Sequence, residues 1–138
     1  MRAVLAIALL LSACGDAVRE RAEPGFRPFD PAGLDVACSF TAVDAPEASP
    51  VFVTLADDEL NGARVNYTGE MLELGSRYGL DPDGPAQIVT YQIQEYGNYS
   101  VMLDVRPVVG EPRRFEGKVT LVDTEFVSEF ITGSCGNG

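Results

Sequence analysis

Residues 89–105 read Val-Thr-Tyr-Gln-Ile-Gln-Glu-Tyr-Gly-Asn-Tyr-Ser-Val-Met-Leu-Asp-Val, and this stretch decides the fold. Val89, Tyr91 and Ile93 alternate with Thr90, Gln92 and Gln94; after Gly97-Asn98, Tyr99, Val101, Leu103 and Val105 alternate with Ser100, Met102 and Asp104. A period of two is that of a strand with one buried face. A Gly-Asn pair supplies the turn that folds two such strands into a hairpin. The same alternation runs outward in both directions. Upstream lie Val36, Cys38 and Phe40, then Val51, Val53 and Leu55, then Val65 and Tyr67, then Leu72 and Leu74; downstream lie Phe115, Val119 and Leu121. Turn chemistry separates the runs at Asn61-Gly62, Thr68-Gly69 and Asp81-Pro82-Asp83-Gly84-Pro85. The expectation is an all-β domain over residues 34–138, with seven or eight antiparallel strands in a small barrel or sandwich. Closure into a barrel would also remove exposed edges. Residues 125–132 are ambiguous, because Phe126, Val127, Phe130 and Ile131 suit a helix as well as a strand. A strand is favoured, since it carries Cys135 towards Cys38.

At 138 residues the chain is long enough for one domain, and 46% hydrophobic residues is ordinary for a folded protein. There are 21 acidic and 10 basic residues, a net charge of −11. That balance opposes binding to nucleic acid or an anionic membrane surface, both of which need clustered Lys and Arg. No His is present, which removes the commonest general base and zinc ligand. A Ser–Lys dyad would have to use Lys118, the single lysine, which has no adjacent Ser. Asp57-Asp58-Glu59 with Asn61-Gly62, and Asp81-Pro82-Asp83-Gly84, lack the ligand spacing of a calcium loop and read as hairpin turns. A non-catalytic protein with no metal and no cofactor is expected. The acidic excess suits basic partners.

The N-terminal stretch gives an address. Arg2 precedes an apolar run over residues 3–11, followed by Ser12, Ala13 and Cys14. This is the layout of an export signal, and nine apolar residues are too few to cross a bilayer, which needs roughly 20. Residues 15–33 carry three prolines and mixed charge without an apolar period, and read as a flexible tether spanning about 25 Å. Phe26 and Phe29 within it suit either a membrane interface or the domain.

Leu11-Ser12-Ala13-Cys14 resembles a bacterial lipobox. The resemblance implies a signal peptide over residues 1–13, cleavage before Cys14, and an acyl-bearing Cys14 that holds residues 14–33 to the lipid bilayer. Gly15 rather than Asp directly after the cysteine favours the outer membrane, with the protein facing the periplasm. Processing would leave 21 acidic against nine basic residues and two cysteines, Cys38 and Cys135. Two thiols in an oxidising compartment read as one disulfide.

The stretch from Cys38 through residues 50–55 and Val65-Asn66-Tyr67 to Met71-Leu72-Glu73-Leu74 resembles the opening half of membrane-bound C-type lysozyme inhibitors, which are small periplasmic lipoproteins with a β-barrel. That family inserts a Ser-Gly-x-x-Tyr loop into the lysozyme cleft. Here Gly75-Ser76-Arg77-Tyr78 occupies the neighbourhood, with the order of Ser and Gly changed. The resemblance implies Ser76, Arg77 and Tyr78 as a partner-binding loop and a basic, lysozyme-like protein as a possible partner.

Overall fold

The computed structural model describes residues 24–93, 99–123 and 126–136. Among them run nine strands: β1 (Phe26–Arg27), β2 (Val36–Ala42), β3 (Phe52–Leu55), β4 (Ala63–Tyr67), β5 (Glu70–Gly75), β6 (Gln87–Ile93), β7 (Ser100–Pro107), β8 (Arg114–Val122) and β9 (Phe126–Cys135). From β2 to β9 each strand pairs antiparallel with the next, and β9 pairs back onto β2. The result is a closed up-and-down barrel of eight strands, with β1 paired along the free edge of β4. The alternation in the sequence places the inward side chains of most strands, but not of β3. Phe52 and Thr54 pair with the inward Phe40 and Cys38, while Val53, read from its period as inward, lies in register with Ser39 and Arg64. Segment 126–135 is a strand, so the helical alternative is set aside. The Gly97-Asn98 and Asp123-Thr124 turns fall wholly or partly outside the described residues.

An eight-stranded barrel has an interior just wide enough for side chains to fill. Tyr91, Phe40, Phe52, Phe115, Leu74 and Leu103 fill it here, all essentially inaccessible to solvent. Phe40 meets Phe52 edge-on at 6.0 Å between ring centroids, and Phe52 meets Tyr91 at 5.4 Å, the geometry aromatic quadrupoles favour. Room for these rings comes from a missing side chain. Gly133 on β9 sits in register with Phe40 on β2 and Phe115 on β8. A Cβ at Gly133 would stand 2.2 Å from the Ser39 carbonyl oxygen, so only bare backbone allows the approach.

The tether reading of residues 14–33 does not hold for its last part. β3 is four residues long and pairs only with Ala63–Val65, leaving the Asn66–Tyr67 edge of β4 open. β1 fills that edge, with Phe26 opposite Tyr67 and Arg27 opposite Asn66. Phe26 packs edge-on against Tyr67 at 5.3 Å. Phe29 is buried as well, its N–H bonded to the Pro50 carbonyl at 3.0 Å. The two phenylalanines lie on the domain because burying each ring outweighs the cost of ordering a few residues.

The barrel has two dissimilar ends. At the turn end, Gly25 and Thr68 exchange hydrogen bonds beside the β4–β5 turn, and the β2–β3 connection passes the start of β9. At the loop end lie the β3–β4, β5–β6 and β7–β8 connections and the Cys38–Cys135 disulfide.

Candidate functional site

The loop end gathers the residues that the sequence singles out. Cys38 and Cys135 face each other directly in the β2–β9 pairing and form a disulfide across 97 residues of chain. Both are buried. Their role is to hold the barrel's first and last strands together, because the bridge closes nearly the whole fold into one covalent ring. Cys14 and the apolar run before it lie outside the described residues.

Ser76, Arg77 and Tyr78 follow β5 directly and come together with the β3–β4 connection. The Asn61 side-chain amide donates to the carbonyls of Ser76 (3.1 Å) and Arg77 (3.3 Å), while the Ser76 N–H donates to the Leu60 carbonyl (2.9 Å). Asn61 reaches both carbonyls from a left-handed backbone, φ 50°, a conformation Asn tolerates better than most residues. The Asn61-Gly62 pair is therefore more than a turn signal, since it cross-braces two loops. A sequence scan sees only the turn, because the bracing partners lie 15 and 16 residues away.

The three predicted contact residues have different fates. The Ser76 hydroxyl donates its one proton to the Thr90 carbonyl (2.8 Å), with the Tyr78 carbonyl also within reach (3.1 Å), so it shapes the loop and is committed inward. The Arg77 guanidinium lies 5.4 Å from the centre of the Tyr78 ring, within reach of a cation–π contact. Tyr78 stands 73% exposed and Leu60 57% exposed. A shallow depression of about 270 Å³ lies beside them, lined by Leu60, Ser76, Arg77 and Gln92. Leu60 is the exposed apolar neighbour that the sequence did not single out, since an isolated leucine in a loop carries no period.

The acidic loops do not converge on an ion. The Asp58 carboxylate accepts from the N–H groups of Leu60 (3.2 Å) and Gly62 (3.0 Å), and Asp81 accepts from Asp83 N–H (3.0 Å). Each is spent on its own turn. Among the described residues no group of three His, Cys, Asp or Glu is placed to hold a metal. Asp57 and Glu59 remain as acids beside Leu60, with Glu59 exposed.

Two further groups complete the end. Arg113 Nε and Nη2 each donate to one oxygen of Asp83 at 3.0 Å, and Nη1 bonds to the Gly136 carbonyl. This fork ties the β7–β8 and β5–β6 connections to the chain that follows β9, and the Arg113 hydrogen bonds hold the Asp83 carboxyl below the usual range. Beneath the loops, the Tyr91 hydroxyl is fully buried with no partner at good hydrogen-bonding geometry. Burial pushes the phenol well above its ordinary value, and the Leu80 backbone nearby offsets only part of that effect. Tyr91 acts as a packing residue in the filled interior, with Leu80 packed against the core from the loop above.

Comparison with protein-family models, with curated proteins and with solved structures finds no match to this chain.

Proposed function

We propose that this chain is a lipid-anchored protein of the bacterial cell envelope, held by an acylated Cys14 at the outer membrane. In this reading it faces the periplasm and binds a protein partner without catalysing a reaction. The observation that carries the binding reading is the contrast between a barrel interior packed solid with side chains and a braced loop platform carrying exposed Leu60, Arg77 and Tyr78. A small-molecule carrier needs an empty cavity, whereas a protein-binding surface uses an aromatic anchor on a rigid frame, with Arg and Tyr among the preferred contributors. The bracing by Asn61 and Ser76 lowers the entropy lost when such a loop is immobilised.

The test is a photo-crosslinking side chain placed at Tyr78 and, separately, at Val109 on the β7–β8 connection, in the full-length protein in its own envelope. A discrete crosslinked protein from position 78 and none from 109 is expected. Equal, diffuse labelling from both positions would end the platform reading. Fractionation tests the anchor: Cys14→Ser moves the protein to the soluble fraction, and unchanged membrane retention would sink that half.

A second reading, inhibition of a lysozyme-like muramidase, is favoured by the place of Tyr78, exposed on the loop after β5 with Asp57 and Glu59 on the adjoining connection. An acidic rim around an aromatic tip suits a basic enzyme cleft. Ser76 cannot donate its hydroxyl there without leaving the Thr90 and Tyr78 carbonyls, so Arg77 and Tyr78 would carry the contact. A lysozyme that stays fully active in micromolar excess of the full-length chain disposes of this reading.

A further inference from the structure

On the outer wall, away from the loop platform, β7 and β8 carry four exposed charges in adjacent register pairs. Asp104 lies opposite Lys118, and Arg106 lies opposite Glu116, with which it forms an ion pair at 3.5 Å. The signs alternate round the quartet, so each diagonal carries like charges and each edge carries opposite ones. Two acids and two bases make this patch neutral in a chain whose net charge is −11. An open groove of about 400 Å³ runs between the four side chains and reaches Phe130 on β9. Phe130 is 67% exposed, and Ile88, in the same row on β6, is 61% exposed.

We infer that this face of β7 and β8 is a self-association surface whose occupant is a second copy of the same chain. Consider a two-fold axis parallel to the strands, running between β7 and β8 in the plane of contact. It lays each copy's β7 over β8 of the other. Asp104 then faces the partner's Lys118, and Arg106 faces the partner's Glu116. The same contacts repeat on the other side of the axis, as an isologous interface requires. Elsewhere the acidic excess makes two copies repel, so a neutral and self-complementary patch is where they can meet. Phe130 and Ile88 flank the quartet as apolar rims.

The size of the face sets the strength. Four strands at about 4.8 Å spacing and roughly six residues at 3.3 Å give a footprint of about 400 Å² per copy, half of the roughly 800 Å² of a standard interface. The outward curve of a barrel reduces it further. Association is therefore weak, appearing at roughly 100 µM, and is abolished near 1 M salt, where screening reaches about 3 Å.

Sedimentation equilibrium of the full-length chain in a density-matched neutral detergent tests this. The unaltered protein shows a monomer–dimer equilibrium. Asp104→Lys and Lys118→Asp, which turn the 104/118 pair all-basic or all-acidic, each weaken self-association at least about tenfold. Mixing the two variants restores dimers, because the all-basic pair of one copy then meets the all-acidic pair of the other across the axis. A strictly monomeric parent overturns the inference. So does a dimer indifferent to both substitutions, and so does a mixture that stays monomeric.

Discussion

The barrel closes along two lines of very different construction. Between β2 and β9 there are five register pairs, a disulfide at Cys38–Cys135, and Gly133 packed so closely that no side chain would fit. Between β5 and β6 there are two register pairs, Leu74 with Ile93 and Gly75 with Gln92. Beyond them the Ser76 hydroxyl takes over, reaching the Thr90 carbonyl where a ladder bond would otherwise lie. The first seam joins the chain's most distant strands, so its closure costs the most loop entropy and gains most from a covalent link. The second joins neighbours in sequence and can be thin, which frees residues 76–78 to leave the sheet and form the platform. Exposed loops that carry function are commonly drawn from such weakly paired places.

Three changes probe this contrast. Cys38→Ala breaks the strong seam and should cost up to about 4.7 kcal/mol, the chain-entropy value for a loop of about 100 residues. Denaturant unfolding under oxidising conditions reads it, and an unmoved midpoint would mean that the covalent link adds nothing to the β2–β9 pairing. Ser76→Ala attacks the thin seam and should cost about 1 kcal/mol, the worth of a typical hydrogen bond. Its effect is local, with faster hydrogen exchange in β6 than in β9; uniform acceleration across all strands would show the two seams to be one cooperative unit. The smallest change acts at the far end of the strong seam. There Glu129 on β9 is partly withdrawn from water and close to Asp44, and both effects raise its carboxyl above the ordinary value near 4.5. A carboxyl raised on folding stabilises the fold while protonated, and that contribution is lost as pH rises through the raised value. Glu129→Gln should therefore raise the melting temperature slightly at neutral pH and leave it unchanged below about pH 4. An equal gain at both pH values would place the cause outside this carboxyl.

The same contrast explains what could be read in the sequence. Strands β6, β7 and β8 are legible because, Gln87 at the start of β6 apart, each inward position is apolar or a glycine, and each outward one mostly polar. β9 is not, because Phe126 and Phe130 are apolar yet point outward, exposed beside the inward Ile131. Two residues of β1 are too few to show a period, so Phe26 and Phe29 could be assigned to the domain only once the open edge of β4 was seen. The disulfide followed from counting cysteines after Cys14 was set apart, whereas its direct cross-strand register did not. In the platform, the place of residues 76–78 was legible from its neighbours. The inward engagement of Ser76 and the bracing by Asn61 depend on contacts between distant residues, which no local pattern encodes.

The docking of β1 also fixes the end of the barrel at which the N-terminal chain arrives. Gly25 leaves the barrel beside Thr68 at the turn end of β4, whereas Leu60, Asn61 and Tyr78 lie beyond the opposite end of the same strand. With Cys14 acylated as proposed, ten residues rather than nineteen separate the acylated cysteine from the docked Gly25. An anchor entering at the turn end would leave Tyr78 on the side of the barrel away from the bilayer.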